Sequence, residues 1–207
     1  MIISKTHNFI YIANPRTATV SFKIRLHKFD SFENKLNKHG TVNDAKKFFA
    51  EQNLPEFDYS NFYEFVFVRH PYTRMLSLFY QAKFIHPAAG NKSTFKADVE
   101  KASLISMDKF LDKYEQSLNG QRFGDITPYS QIDYTTNTFT NNLQIYKFED
   151  INTAYAKIKS DLGLNLLHLL HINRSPIQVT ADTLLPHQKA RIYSLLRSEF
   201  DMYGYAP

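Results

Sequence analysis

The chain has 207 residues, 43% apolar and 22% charged, which suits one sizeable globular domain and excludes a disordered polar segment. It has no cysteine, so disulfide frameworks and thiolate metal or redox sites are excluded. Its six glycines include no pair at G-x-G or G-x4-G spacing, which excludes a dinucleotide fingerprint and a Walker A loop. A net charge of +5, with an isoelectric point near 9.2, favours a polyanionic partner: nucleic acid, a membrane surface or a phosphorylated small molecule.

The amino end, MIISKTHNF, shows no basic region followed by an apolar run, and so does not read as a signal peptide. Asn8–Ala13 is a short apolar run closed by Asn14-Pro15 and is expected to be a buried strand. After Pro15, Val20, Ile24 and His27 recur at helical spacing, giving strand, tight loop, helix over residues 8–27. A polar stretch from Lys28 to Thr41 leads to a second helix over Asn43–Gln52, with Asn43 as its expected cap and Pro55 closing it. Tyr63–Val68 is a second buried strand, and Pro71 opens a helix with Met75, Leu78 and Phe79 inward. Phe84–Ser103 lacks periodicity and reads as a loop or lid.

Helices are expected over Met107–Leu118 and Asn152–Leu162, with a third strand at Gln144–Phe148 between them. A final helix covers Leu184–Phe200. The longest apolar stretch, Leu164–Ile172, is broken by Asn165, His168 and His171 and falls far short of the ~20 residues of a membrane span, so a cytoplasmic protein is expected. Its leucines read as a core helix, and His168 with His171 lacks a third metal ligand; no metal is expected. Strands alternating with helices predict an α/β fold: a single domain over residues 1–207 with a central parallel sheet flanked by helices.

In such a sheet, ligands bind beyond the carboxyl ends of the strands. Two of those ends carry arginine. In Asn14-Pro15-Arg16-Thr17-Ala18-Thr19-Val20-Ser21, a helix start offers backbone N–H groups, Arg16 a fixed charge, and Thr17, Thr19 and Ser21 hydroxyls, all suited to an anion. A plain helix start with a solvated arginine fits the same residues. In Phe67-Val68-Arg69-His70-Pro71-Tyr72-Thr73-Arg74-Met75-Leu76-Ser77, Arg69 sits at the strand end, with Arg74 and Ser77 on the helix that follows. An arginine fork with a hydroxyl suits a second phosphate; the alternative pairs Arg69 with Glu64 or Glu149. Two anion sockets on adjacent strands suggest a ligand phosphorylated at both ends.

Strand, P-[KR]-T, helix, and then F-V-R-x-P-x-x-R-x-x-S together resemble the paired nucleotide-binding motifs of sulfotransferases that use 3′-phosphoadenosine 5′-phosphosulfate (PAPS), most closely the carbohydrate branch. The similarity continues through Phe148-Glu149-Asp150, His171–Ser175, Ile192-Tyr193 and Phe200–Tyr205. The resemblance implies a P-loop-like nucleotide-binding core, with Arg16, Thr17, Ala18, Thr19, Val20 and Ser21 cradling the 5′-phosphosulfate. It implies that Arg69 and Ser77 hold the 3′-phosphate and that Asn173, Arg174 and Ser175 close over the nucleotide. It favours a small-molecule or glycan acceptor rather than nucleic acid. This sequence departs from the family pattern at Arg16 (usually lysine), Ala18 (commonly glycine), Val20 (commonly a hydroxyl residue) and His70 (often Asp or Asn).

Sulfonate transfer needs charge stabilisation at the leaving phosphate, for which Arg16 is suited, and a base for the acceptor proton. His39, in Lys38-His39-Gly40-Thr41 between the two motifs, is the candidate base, and the resemblance places an H-x-T-like element there. Glu33 and Glu51 are next, and an exposed loop histidine is the plain alternative. Glu149-Asp150 reads as structural, and Gln131, Asp133 and Tyr134 read either as acceptor contacts or as a surface loop. Other readings are a P-loop-type kinase, which would want Walker glycines, a nucleic-acid binder using exposed aromatics, and a nucleotide-binding relative without turnover.

Overall fold

The computed structural model describes residues 1–33, 35–37, 39–53, 58–81, 106–118, 130–169 and 180–207. Arg174, Ser175, Asn173, His171 and the Phe84–Ser103 loop lie outside the described residues. The chain divides into two compact units, Met1–Arg69 with Gln131–Arg174 and His70–Ser130 with Ser175–Pro207.

The first unit holds a four-stranded sheet in the order β1 (Ile2–Ser4), β2 (Phe9–Ile12), β3 (Tyr63–Val68), β4 (Leu143–Lys147). β2, β3 and β4 are parallel, as the alternation of strands and helices predicts. β1 pairs antiparallel with β2, Ile2 opposite Tyr11 and Ser4 opposite Phe9. Sequence periodicity misses β1 because three residues give too short a pattern to recognise. The central strands are buried on both faces, which is why β2 and the Phe65–Val68 part of β3 read as unbroken apolar runs.

Alternate residues Phe9, Tyr11, Phe65 and Phe67 form one face, packed with Phe22 and Leu26 of α1 (Thr19–Leu26) and Ala154, Tyr155 and Ile158 of α5 (Ile151–Asp161). The Phe22 ring lies 4.6 Å from Phe67, 5.1 Å from Tyr11 and, edge-on, 5.6 Å from Tyr155. The described residues after α5, 164–169, are not helical, with Leu164 and Leu166 buried and Asn165 and Leu167 exposed, which corrects the expected core helix over that part of its range. Two residues, Thr41 and Asp44, fix the start of α2 (Val42–Glu51). Thr41, not Asn43, is its cap: the Thr41 hydroxyl accepts from Asp44 N–H and the Asp44 carboxylate from Thr41 N–H, a reciprocal capping box. Glu64 is fully buried on β3 and accepts from the N–H groups of Phe139 and Thr140 and from the Thr140 hydroxyl, so it staples the 138–140 turn to the sheet.

The second unit packs α3 (Pro71–Tyr80), α4 (Met107–Leu118) and α6 (Pro186–Tyr203) through Met75, Leu76, Phe79, Phe110, Leu111, Tyr114, Ile192, Leu196 and Phe200. Arg191 ties α6 to Asp112 and Glu115 of α4, both at 2.6 Å. Arg74 is not a surface cation poised beside Ser77, as its spacing suggests. It is buried, with Nη1 3.7 Å from the equally buried Glu199, whose carboxylate also accepts from the Ser130 hydroxyl. Removing either charge would strand the other in the interior, so this arginine serves the core of its unit.

His70 is the N-cap of α3, and its Nδ1 accepts from Tyr72 N–H at 3.3 Å. That is the service an Asp or Asn gives at this position, which accounts physically for the departure from the family pattern. Among the described residues no helix is long and apolar enough to cross a membrane.

Candidate active site

The parallel register brings three strand ends together. Ile12 lies opposite Val66, and Val68 opposite Lys147, so the residues just past β2, β3 and β4 emerge side by side. These are Asn14–Thr19, Arg69 and Phe148.

The first loop is bent by two residues in the left-handed region, Arg16 (φ 70°) and Ala18 (φ 59°). Left-handed residues turn successive backbone N–H groups toward one concave side, a common way of building an anion socket. Ala18 is also the N-cap of α1, and no side chain caps that helix. The N–H groups of Thr19, Val20 and Ser21 have no intrahelical partner, and an alanine cap leaves them to a ligand where Thr41 and His70 serve α2 and α3.

Two of the three hydroxyls expected to face the ligand are used otherwise. Thr17 and Thr19 both donate to the Asn14 carbonyl, at 2.7 and 2.8 Å, and both are buried. A hydroxyl has one proton to donate, so these threonines fix the loop's curvature, and their backbone is what they offer an anion. Ser21 is buried in the first turn of α1, whereas Val20 is half-buried.

A left-handed alanine costs roughly 1–2 kcal/mol relative to glycine, partly offset by the greater freedom of glycine in the unfolded chain, roughly 0.5–1 kcal/mol. Ala18→Gly is therefore expected to stabilise the ligand-free protein, raising Tm by a few degrees at this chain length. A lower Tm in a thermal melt would show that the loop carries no such strain.

Arg69 is half-buried, and contacts to the first loop and to Phe148 help to aim its guanidinium. Nη1 donates to the Arg16 carbonyl at 3.3 Å, and the guanidinium carbon lies 4.5 Å over the Phe148 ring. The two sequence-predicted arginine positions are thus in direct contact. Glu64 is not the partner of Arg69: it is engaged with Phe139 and Thr140, five residues back along β3, about 16 Å at strand rise. Phe148 escaped the sequence reading as a site residue because an aromatic after a strand usually signals core.

His39 sits at the same mouth, half-buried, with its Nδ1 3.1 Å from the carbonyl of Ala13, the residue after β2. A carbonyl only accepts, so this bond requires a proton on Nδ1 and leaves the lone pair of the neutral ring on Nε2. That is the tautomer a general base needs. Of the carboxylates considered beside it, Glu51 pairs with Lys47 across one turn of α2 on the exposed surface, and Glu33 is exposed in the 30–33 turn.

The model of the sulfotransferase family matches residues 1–206. The chain belongs to that family. No curated protein and no solved structure matches it. In this sulfotransferase, then, Arg16, Arg69 and His39 converge on the carboxyl ends of adjacent parallel strands. Ser77 is buried on α3 and belongs to the other compact unit.

Gln131 and Tyr134, read from sequence as acceptor contacts or surface, are fully buried in a 3-10 turn, Gln131–Tyr134. Gln131 accepts from Arg69 N–H at 2.7 Å and donates to the Arg69 carbonyl at 2.8 Å, and the Tyr134 hydroxyl donates to the His39 carbonyl at 3.0 Å. Among the described residues no group of three His, Asp or Glu side chains could hold a metal ion.

Proposed function

We propose that this sulfotransferase uses PAPS as sulfonate donor and transfers the group, in the cytoplasm, to an acceptor hydroxyl of a small molecule or glycan, most consistently a carbohydrate. The observation that carries the reading is the pair of arginines at neighbouring strand ends, Arg69 touching the Arg16 carbonyl, which suits a ligand with anionic groups on both sides of one nucleoside. When bound, PAPS supplies the sulfonate group on a phosphate leaving group. Arg16 and the uncapped N-terminus of α1 offset negative charge on that phosphate, already oriented before reaction. His39 takes the acceptor's hydroxyl proton at Nε2 while Nδ1–H stays on the Ala13 carbonyl. Arg69, held over the Phe148 ring, faces the 3′-phosphate. The resemblance assigns Ser77 to the same phosphate and Arg174 and Ser175 to the segment closing over the nucleotide. In this reading residues 1–207 act as one sulfotransferase domain, and neither cofactor metal nor nucleic acid takes part.

Thermal melting tests the donor. Adenosine 3′,5′-bisphosphate at a hundred times its Kd is expected to add about 2.7 kcal/mol to stability, and ATP with Mg²⁺ less. The reverse order would favour phosphoryl transfer. A bisphosphate shift without transfer to any of a panel of glycans, phenols and lipids would leave a nucleotide binder without turnover.

A further inference from the structure

Backbone pairing between β2 and β3 ends at Ile12 and Val66, and that between β3 and β4 at Val68 and Lys147. Beyond those rungs the strand ends must separate to admit a ligand, yet buried backbone groups still need partners. Two side-chain amides supply them. Asn14, fully buried, donates from Nδ2 to the Phe67 carbonyl at 2.8 Å and to Gln131 Oε1 at 3.2 Å. Gln131 pairs with both the N–H and the carbonyl of Arg69, as the next peptide of an adjoining strand would. Three residues along the same turn, Tyr134 holds the His39 carbonyl.

Resting on the donor and base assignments above, we propose that Gln131 and Tyr134 are positioning residues. Through this one turn they set the backbone of Arg69, the Asn14 end of the 5′ loop and the backbone of His39. The turn works as an artificial rung: the ends of β2 and β3 splay open without losing their register, so the arginine fork and the imidazole are aimed before any ligand arrives. Fixing them in advance lowers the ordering cost of binding and of reaching the transition state.

Two substitutions separate the roles. Gln131→Met keeps the side-chain length and deletes both bonds to Arg69; its Kd for adenosine 3′,5′-bisphosphate by titration calorimetry is expected to rise roughly tenfold, the usual loss of one to two buried hydrogen bonds. Tyr134→Phe removes a single oxygen; its Kd is expected within about twofold of the parent, with kcat several-fold lower and the acid limb of the kcat–pH profile displaced. Both are measured well below each variant's Tm, so that lost stability alone, which leaves Kd and the pH profile of the folded molecules unmoved, counts against the proposal. Should Gln131→Met not fold, Gln131→Glu takes its place. It keeps the acceptor for Arg69 N–H, loses the donor to Arg69 C=O, and is expected to weaken binding in the same direction. Parent-like Kd in the Gln131 variant together with a parent-like pH profile in Tyr134→Phe would overturn the positioning role and leave the donor assignment standing. Failure of the parent itself to bind the bisphosphate would overturn the donor assignment, and the positioning role with it.

Discussion

His39→Ala is expected to abolish most sulfonate transfer while leaving nucleotide affinity near that of the parent. A positioned general base contributes about 10²- to 10⁴-fold in rate, and that is the loss expected in kcat with saturating donor. The expectation rests on geometry rather than residue type. The imidazole is fastened by Nδ1 to the Ala13 carbonyl, one residue before Asn14 and three before Arg16, so the ring stands beside the loop proposed for the phosphosulfate. His39→Gln is the sharper variant, because its amide can still donate to the Ala13 carbonyl yet accepts no proton near neutral pH. If the hydrogen bond were the whole contribution of His39, the glutamine variant would turn over like the parent. The parent's kcat should fall on acidification as Nε2 takes up a proton, and the glutamine variant should lack that limb. Equal turnover in the parent and both variants would move the base elsewhere, with Glu33 and Glu51 next to be tested.

Arg69→Ala should weaken adenosine 3′,5′-bisphosphate binding by roughly 10- to 150-fold, the ~1.5–3 kcal/mol of hydrogen bonds to a charged group. Its guanidinium is held between the Arg16 carbonyl and the Phe148 ring, so little side-chain freedom is lost when an anion arrives. Arg69→Lys is expected to recover only part of the affinity: an ammonium keeps the charge but lacks the planar fork that lies on Phe148 and points two donors one way. Comparison with adenosine 5′-phosphate locates the loss. The variant should discriminate poorly between the two nucleotides, whereas the parent prefers the one carrying the 3′-phosphate. Titrations showing equal affinity of parent and variant for the bisphosphate would remove Arg69 from that subsite.

The folded structure overrides the local pattern at two kinds of position, for different reasons. Element boundaries slipped where a polar residue with a stronger local claim was available: Thr41 outcompetes Asn43 as a cap because Asp44 completes the reciprocal pair. Assignments of side-chain role slipped where the partner is remote in sequence. Arg74 has the spacing of a phosphate ligand on its helix, but Glu199, 125 residues away, makes it a buried ion pair. Thr17 and Thr19 differ: their partner, the Asn14 carbonyl, is only three and five residues away, and the two bonds fix the curvature of the loop.

Local pattern was enough for β2 and β3 of the parallel core, because strands buried on both faces announce themselves as apolar runs (Phe9–Ile12, Phe65–Val68) and Pro15 and Pro71 mark the turns into the helices that follow. β4, half-exposed at the sheet edge, has no proline after it. The order of the two arginine loops, and so the family, came from short contiguous motifs. Tertiary structure alone decided what aims those arginines. Gln131 is 62 residues from Arg69, 117 from Asn14, and the next turn residue Tyr134 is 95 from His39. A glutamine that replaces a rung of a sheet leaves no periodic trace in its own neighbourhood; it becomes visible only when the strand ends it bridges are brought beside it in space.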